Sequence, residues 1–178
     1  MRMGVLLTPG FLEAEAALAL EAARLLGWEG FTLARGRTAL EGGAGAVWTP
    51  RYTFAARPQL DVLVVPGGAN MRKLGRDAAH QAWLAEVWEG LRAALGGANA
   101  ALFWLEAGYL SSPPAAHPVA HAALRAAALE PVGAPYSWQG KLCTTRGYLA
   151  LVEALLDWAG FSEEAKVHLG LGGRPKPR

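Results

Sequence analysis

Glu13 follows the first apolar run, Met3 to Leu7, across a Thr8-Pro9-Gly10 turn, and opens a helical stretch. A carboxylate there either complements the positive end of the helix dipole or works as a general acid or base at a sheet edge. Pro66-Gly67-Gly68-Ala69-Asn70 closes a second run, DVLVVPGG. Two glycines leaving a strand either make a tight exit or point the Gly67 and Gly68 amides into a nest for an oxyanion. Thr145-Arg146-Gly147 precedes another helix. Arg146 and Gly147 there either hold an anion or form a plain cap with a solvated arginine. His117 and His121 have the spacing of two ligands on one helical face, but Pro118 intervenes and no acid is near, so no metal is expected. The nucleotide-binding spacings are absent, and no cofactor is expected. Glu15 and Glu21 read as surface positions of the first helix, and His80 and His168 as surface positions of later ones.

Positioning these residues requires a sheet. Met3 to Leu7 has the profile of a buried parallel strand, and Glu13 to Leu26 that of a helix stopped by Gly27. Phe31 to Ala34 predicts a second strand. Arg35 to Pro58 is irregular, with a hairpin near Val47 and Trp48, and its Gly42-Gly43-Ala44-Gly45 run reads as a flexible loop. Asp61 to Gly68 is the clearest central strand. Ala78 to Leu95 carries apolar residues at helical spacing (Trp83, Leu84, Val87, Trp88, Leu91), and Ala100 to Leu105 reads as another strand. A helix over Val119 to Ala128 follows. Then come extended segments at Tyr136–Trp138 and Leu142–Thr144, a helix over Tyr148–Trp158 ended by Gly160, and a short last helix after Ser162.

Alternating strands and helices predict an α/β fold: a single-domain, doubly wound, flavodoxin-like and mostly parallel sheet with helices on both faces. The domain spans 1–170, and 171–178 is a flexible basic tail. Sites in such sheets form beyond the carboxyl ends of the strands, where the loops after Leu7, Val65 and Leu105 should meet.

Composition narrows the function. The 178 residues are 52% hydrophobic and 18% charged with a formal net charge of +2, too even for a broad nucleic-acid surface. The one cysteine, Cys143, builds no intrachain disulfide and fits a reducing compartment. No apolar run is long enough for a membrane span, so a soluble cytoplasmic protein is expected. Seven tryptophans in so short a chain suit core filling, with some left for a subunit interface.

The order GF-x-E after the first strand, DVLVVPGG in the middle and GKLCTTRG before a long helix resembles the ThiJ/PfpI family, a branch of the class I glutamine amidotransferase-like fold. The likeness runs from about Met3 to Leu169. It implies a cysteine on a strained strand-to-helix elbow, with a first-loop glutamate beside it, matched by Glu13. It also implies an oxyanion glycine matched by Gly68, a histidine matched loosely by His117, and a homodimer. Relatives are credited with peptidase, deglycase, glyoxalase and chaperone-like roles.

The expected thiol has no match. Counting from Gly97 puts Trp104 at the elbow; aligning Glu106-Ala107-Gly108 with the family's Cys-x-Gly puts Glu106 there. Two readings follow. In the first, cysteine catalysis is lost and the retained pocket serves small-molecule binding or assembly, with Trp104 filling the vacated space. In the second, Glu13 and Glu106 form an acid–base pair, with His117 nearby, in a cysteine-free hydrolase or lyase acting on a small carbonyl or anionic ligand.

Overall fold

Two buried clusters sandwich a seven-stranded sheet in the computed structural model, which describes residues 1–171. In chain order the elements are β1 (Arg2–Leu6), α1 (Glu13–Leu25), β2 (Glu29–Ala34), β3 (Leu40–Glu41), β4 (Val47–Trp48), β5 (Tyr52–Thr53) and β6 (Val62–Val65). Next are α2 (Met71–Arg76), α3 (Ala78–Trp88), β7 (Ala93–Gly96), α4 (Ala101–Glu106) and a 3-10 turn (Pro118–Ala120) running into α5 (His121–Ala126). The chain then adds β8 (Tyr136–Gln139), β9 (Leu142–Thr145), α6 (Leu149–Trp158) and α7 (Glu163–His168). Of the basic tail expected over 171–178, residues 172–178 lie outside the described residues.

The sheet order is β5-β2-β1-β6-β7-β9-β8, parallel except for the antiparallel edge strand β8. The four residues of β6 are all buried, as a central strand of a sheet covered on both faces requires. Alanines of α1 and leucines of α6 cover one face; Trp83 and Leu84 of α3 with Phe103 and Trp104 of α4 cover the other. The fold class expected from the sequence is therefore the one observed. β3 and β4 form the hairpin expected near Val47 and Trp48. Among the described residues, no helix is long and apolar enough to cross a membrane.

One expected strand is a helix. The strand after α3 is Ala93–Gly96, and the strand expected over Ala100 to Leu105 falls instead in α4, Ala101–Glu106. The helix expected to reach Leu95 stops at Trp88, followed by Glu89 and Gly90. Ala93, Ala94 and Leu95 then pair between β6 and β9. Ala101, Leu102, Phe103 and Trp104 are all buried, and a helix buried on every side has the same continuous apolar run as a central strand.

Candidate functional site

Glu15, not Glu13, lies at the convergence of the loops. Its side chain is fully buried and accepts three backbone hydrogen bonds. Gly67 N–H reaches Oε1 at 2.9 Å, while Ala98 N–H at 3.0 Å and Tyr148 N–H at 2.8 Å reach Oε2. These amides come from the loops after β6, β7 and β9, the carboxyl-edge loops of three neighbouring strands. The expectation that Glu15 is a surface residue is overturned. It sits one helical turn before Ala19 and two before Ala22 on the buried face of α1, whereas Glu13 points about 200° away around the axis.

The turn from β7 into α4 supplies the other half of the site. A side chain at Gly97 would begin within 3.0 Å of both Glu15 oxygens, so only glycine leaves the carboxylate its place. Gly147, at φ 98°, is equally tight: its missing Cβ would press on Ala98 and on Glu15 Oε2. Tyr148 follows at φ 49° and ψ −114°, a strained backbone for a bulky residue, with its ring 43% exposed. Thr145 Oγ1 donates to Gly96 O at 2.9 Å and accepts from Gly147 N–H at 3.0 Å, fixing that turn.

No family model and no curated protein matches the chain by sequence. Solved structures match it over nearly its full length. A mutant DJ-1 superfamily protein from Salmonella typhimurium aligns with TM-score 0.79 and 24% identity, covering 97% of this chain and 99% of that one. Another, from Agrobacterium tumefaciens, gives 0.78 and 23%, covering 96% of each chain. DJ-1 of Schizosaccharomyces pombe gives 0.81 at 13%, covering 98% of this chain and all of its own. The fold is that of the DJ-1/ThiJ/PfpI proteins. The chain spans 55% of a two-domain protein from Anabaena variabilis that contains DJ-1/ThiJ/PfpI-like and ferritin-like domains, at TM-score 0.79 and 16% identity over 98% of this chain.

Within this DJ-1-like fold the turn from β7 into α4 runs over Gly97 to Ala100, so neither Trp104 nor Glu106 lies in it. Trp104 is wholly buried in α4, over Gly96, and its indole N–H has no partner among the described residues. Glu106, at the end of α4, accepts from Arg72 at 2.9 Å and from Arg76 at 2.7 and 2.9 Å. The Arg76 hydrogen bonds, with Arg72 in support, hold its carboxyl below the usual range against desolvation. Glu13 accepts from Ala44 N–H at 2.9 and 3.0 Å and from Ala46 N–H at 3.2 Å. Desolvation pulls the Glu13 carboxyl up, yet the backbone donors at Glu13, Ala44, Ala46 and Gly45 together leave it below its ordinary value. The Gly42–Gly45 run is thus a loop pinned by Glu13, with Gly43 N–H also bonded to Phe11 O at 2.9 Å, and not a free one. Glu13 and Glu106 share no partner and form no dyad.

The expected oxyanion donors are already used. Gly67 N–H serves Glu15, and Gly68 N–H donates to Asn99 Oδ1 at 2.9 Å while Asn99 Nδ2 returns a bond to Gly68 O at 2.9 Å. His117 caps the 3-10 turn, its Nδ1 accepting from Val119 N–H at 3.2 Å, and its own N–H donates to Ala98 O at 2.9 Å. His121 Nε2 lies 3.0 Å from Ala116 O. Among the described residues no three His, Cys, Asp or Glu side chains gather as metal ligands. Arg146 is exposed and reaches Gly133 O at 3.3 Å. Cys143 is buried in β9 between Leu95 and Trp138, and burial pushes its thiol up to about 12. A thiol kept protonated is a poor nucleophile.

Proposed function

We propose that this chain is a DJ-1-like protein without cysteine catalysis that acts in small-molecule binding or assembly. Gly97 carries the reading: the elbow residue facing Glu15 has no side chain to act as a nucleophile. Nucleophilic catalysis needs a thiolate held by a base in front of an oxyanion hole. Here the glycine amides are taken by Glu15 and Asn99, and the one thiol is buried and protonated in a strand. Glu15 then acts as a clamp on three loops rather than as an acid or base.

Assembly finds support beside the same elbow. Val119, Tyr148 and Leu149 are 68%, 43% and 56% exposed. Ala98 ties the two turns that lead into them, since its carbonyl accepts from His117 N–H and its amide shares Glu15 with Tyr148 N–H. A second copy of the chain would cover these apolar side chains, in keeping with the homodimer that the family resemblance implies. The alternative, a hydrolase or lyase using Glu13 on small carbonyl compounds, has less in its favour, because the Glu13 carboxylate is occupied by Ala44 and Ala46.

Methylglyoxal consumption and light scattering test the reading together. The wild type and Cys143→Ala should both consume methylglyoxal at the uncatalysed rate, and scattering should report a dimer. Turnover above that rate would overturn the non-catalytic half, and a monomer at micromolar concentration the assembly half.

A further inference from the structure

A groove of about 990 Å³ opens away from Glu15, over the carboxyl ends of β1 and β2, and is closed on its far side by α2 and α3. β1 is where the chain reverses direction across the sheet: β2 and β5 lie on one side of it, β6 and all later strands on the other. Ligands in doubly wound sheets settle in such a crevice. This one is lined by Leu7 and Pro9 after β1 and by Arg35 after β2, with Asn70, Lys73, Arg76, Asp77 and His80 opposite.

Its polar lining is organised around His80. The sequence places His80 on a helix surface, but the ring is 5% exposed and packs edge-on against Phe54 at 5.1 Å. Asp77 Oδ2 lies 2.6 Å from His80 Nδ1, and Asp77 Oδ1 lies 3.6 Å from Arg35. The His80 hydrogen bond holds Asp77 below the usual carboxylate range, so Asp77 accepts and Nδ1 carries the hydrogen. Nε2 is then the ring's remaining polar atom, on a residue that lines the groove. Around it stand Lys73, exposed and outside the ion pairs its neighbours make, and Arg76, which is anchored by Glu106. Asn70 starts α2 at φ 58° with no capping bond from its side chain. The buried Thr8 hydroxyl, between lining residues Leu7 and Pro9, has no partner among the described residues.

We propose that this groove is a binding site for a small molecule carrying a phosphate or carboxylate group, with Lys73 and Arg76 as counter-charges and His80 as the buried hydrogen-bond partner. Among the lining cations Arg35 is paired with Asp77 and Arg76 with Glu106. That leaves the Lys73 charge, beside a carboxylate-backed histidine, to suit an oxyanion, and the apolar residues Leu7, Leu40 and Leu74 suit a short organic body. The site holds whether or not the Glu15 elbow turns anything over.

Titration of the full chain with inorganic phosphate and, separately, with acetate, followed by amide NMR, tests it. Saturable shifts are expected at Arg35–Thr38 and Asn70–His80 with a Kd of about 1 mM or tighter for at least one anion, and none at Gly97 or Tyr148. The stronger anion assigns the ligand's charged group. Lys73→Ala and His80→Gln should each weaken binding about tenfold, with Arg125→Ala as an unchanged control. Lys73 is exposed, so its variant keeps the test readable if His80→Gln fails to fold. No saturable shift for either anion, or equal affinity in Lys73→Ala, overturns the proposal.

Discussion

The Tyr148 amide donates to Glu15 Oε2 at 2.8 Å, joining two residues 133 positions apart. Tyr148 holds a left-handed backbone that costs a bulky residue about 1–3 kcal/mol, and its half-exposed ring does nothing to fix it. The buried carboxylate does. Because the same oxygen also accepts from Ala98, the helix after β1 fixes the start of the helix after β9.

Replacing Glu15 with alanine strands three N–H groups, two of them buried and that of Tyr148 partly so. Each unsatisfied donor costs about 1–3 kcal/mol, so Glu15→Ala should lose roughly 3 kcal/mol or more. Glu15→Gln should fall between the two: its oxygen can keep Ala98 and Tyr148, but its NH₂ then faces Gly67 N–H, one lost bond of about 1–3 kcal/mol. Urea midpoints for wild type, Gln and Ala should descend in that order, with Glu13→Ala moving much less. Equal effects at positions 13 and 15 would contradict the assignment.

Gly97→Ala places a methyl against the same carboxylate. Overpacking of this kind costs about 1–3 kcal/mol. In the Glu15→Ala background the methyl has room, so most of that cost should vanish. A double-mutant cycle should therefore give a coupling of about 1 kcal/mol or more; additivity would mean that the two positions do not meet.

The fold was legible because the decisive signals are local and strong: Val62–Val65 cut off by Pro-Gly-Gly, and α1 stopped at Gly27. β7 was not, because Ala93-Ala94-Leu95 has weak strand propensity and reads as the end of α3. Its pairing is set by neighbouring strands that no local window contains. That error moved the expected elbow to Trp104 or Glu106. Glu15 left a readable trace, an acid in register with Ala19 and Ala22 on the apolar face of α1. Glu13 is the acid that the GF-x-E resemblance points to, although Glu15 stands in the same first turn. The uses of the Gly67 and Gly68 amides depend on residues far along the chain, Glu15 and Asn99, and left no sequence signal.

Cys143 gives a chemical prediction. With its thiol pushed up to about 12, the thiolate fraction at pH 8 is roughly one in ten thousand, and Ellman's reagent should not label the native protein on the timescale of the unfolded one. The linkage sign follows. A folded value raised above the ordinary 9.0 contributes stability that is whole below about pH 9 and lost as pH climbs toward 12. Cys143→Ala should flatten that alkaline decline in the urea midpoint, whatever it costs in packing at neutral pH.

Glu106 gives the acid counterpart. Arg76 first, then Arg72, hold its carboxyl below the ordinary 4.5, so the pairing contributes stability above that value and loses it as pH falls through the lower folded one. The arginines are 61% and 51% exposed, so solvent and salt screen the effect and a modest midpoint shift is expected. Glu106→Gln should lower the urea midpoint slightly at pH 7 and reduce its fall between pH 5 and 3, leaving the share of Asp77, whose carboxyl His80 also holds down. Raising the salt concentration should shrink the difference between the two proteins at pH 7. Because α2 and α4 meet through these ion pairs, the variant should also loosen the end of α2 where Arg76 stands, read as faster amide exchange at Leu74 and Arg76 than in the wild type. An unchanged acid limb with unchanged exchange would show that Glu106 is a solvated end of α4 and not its tie to α2.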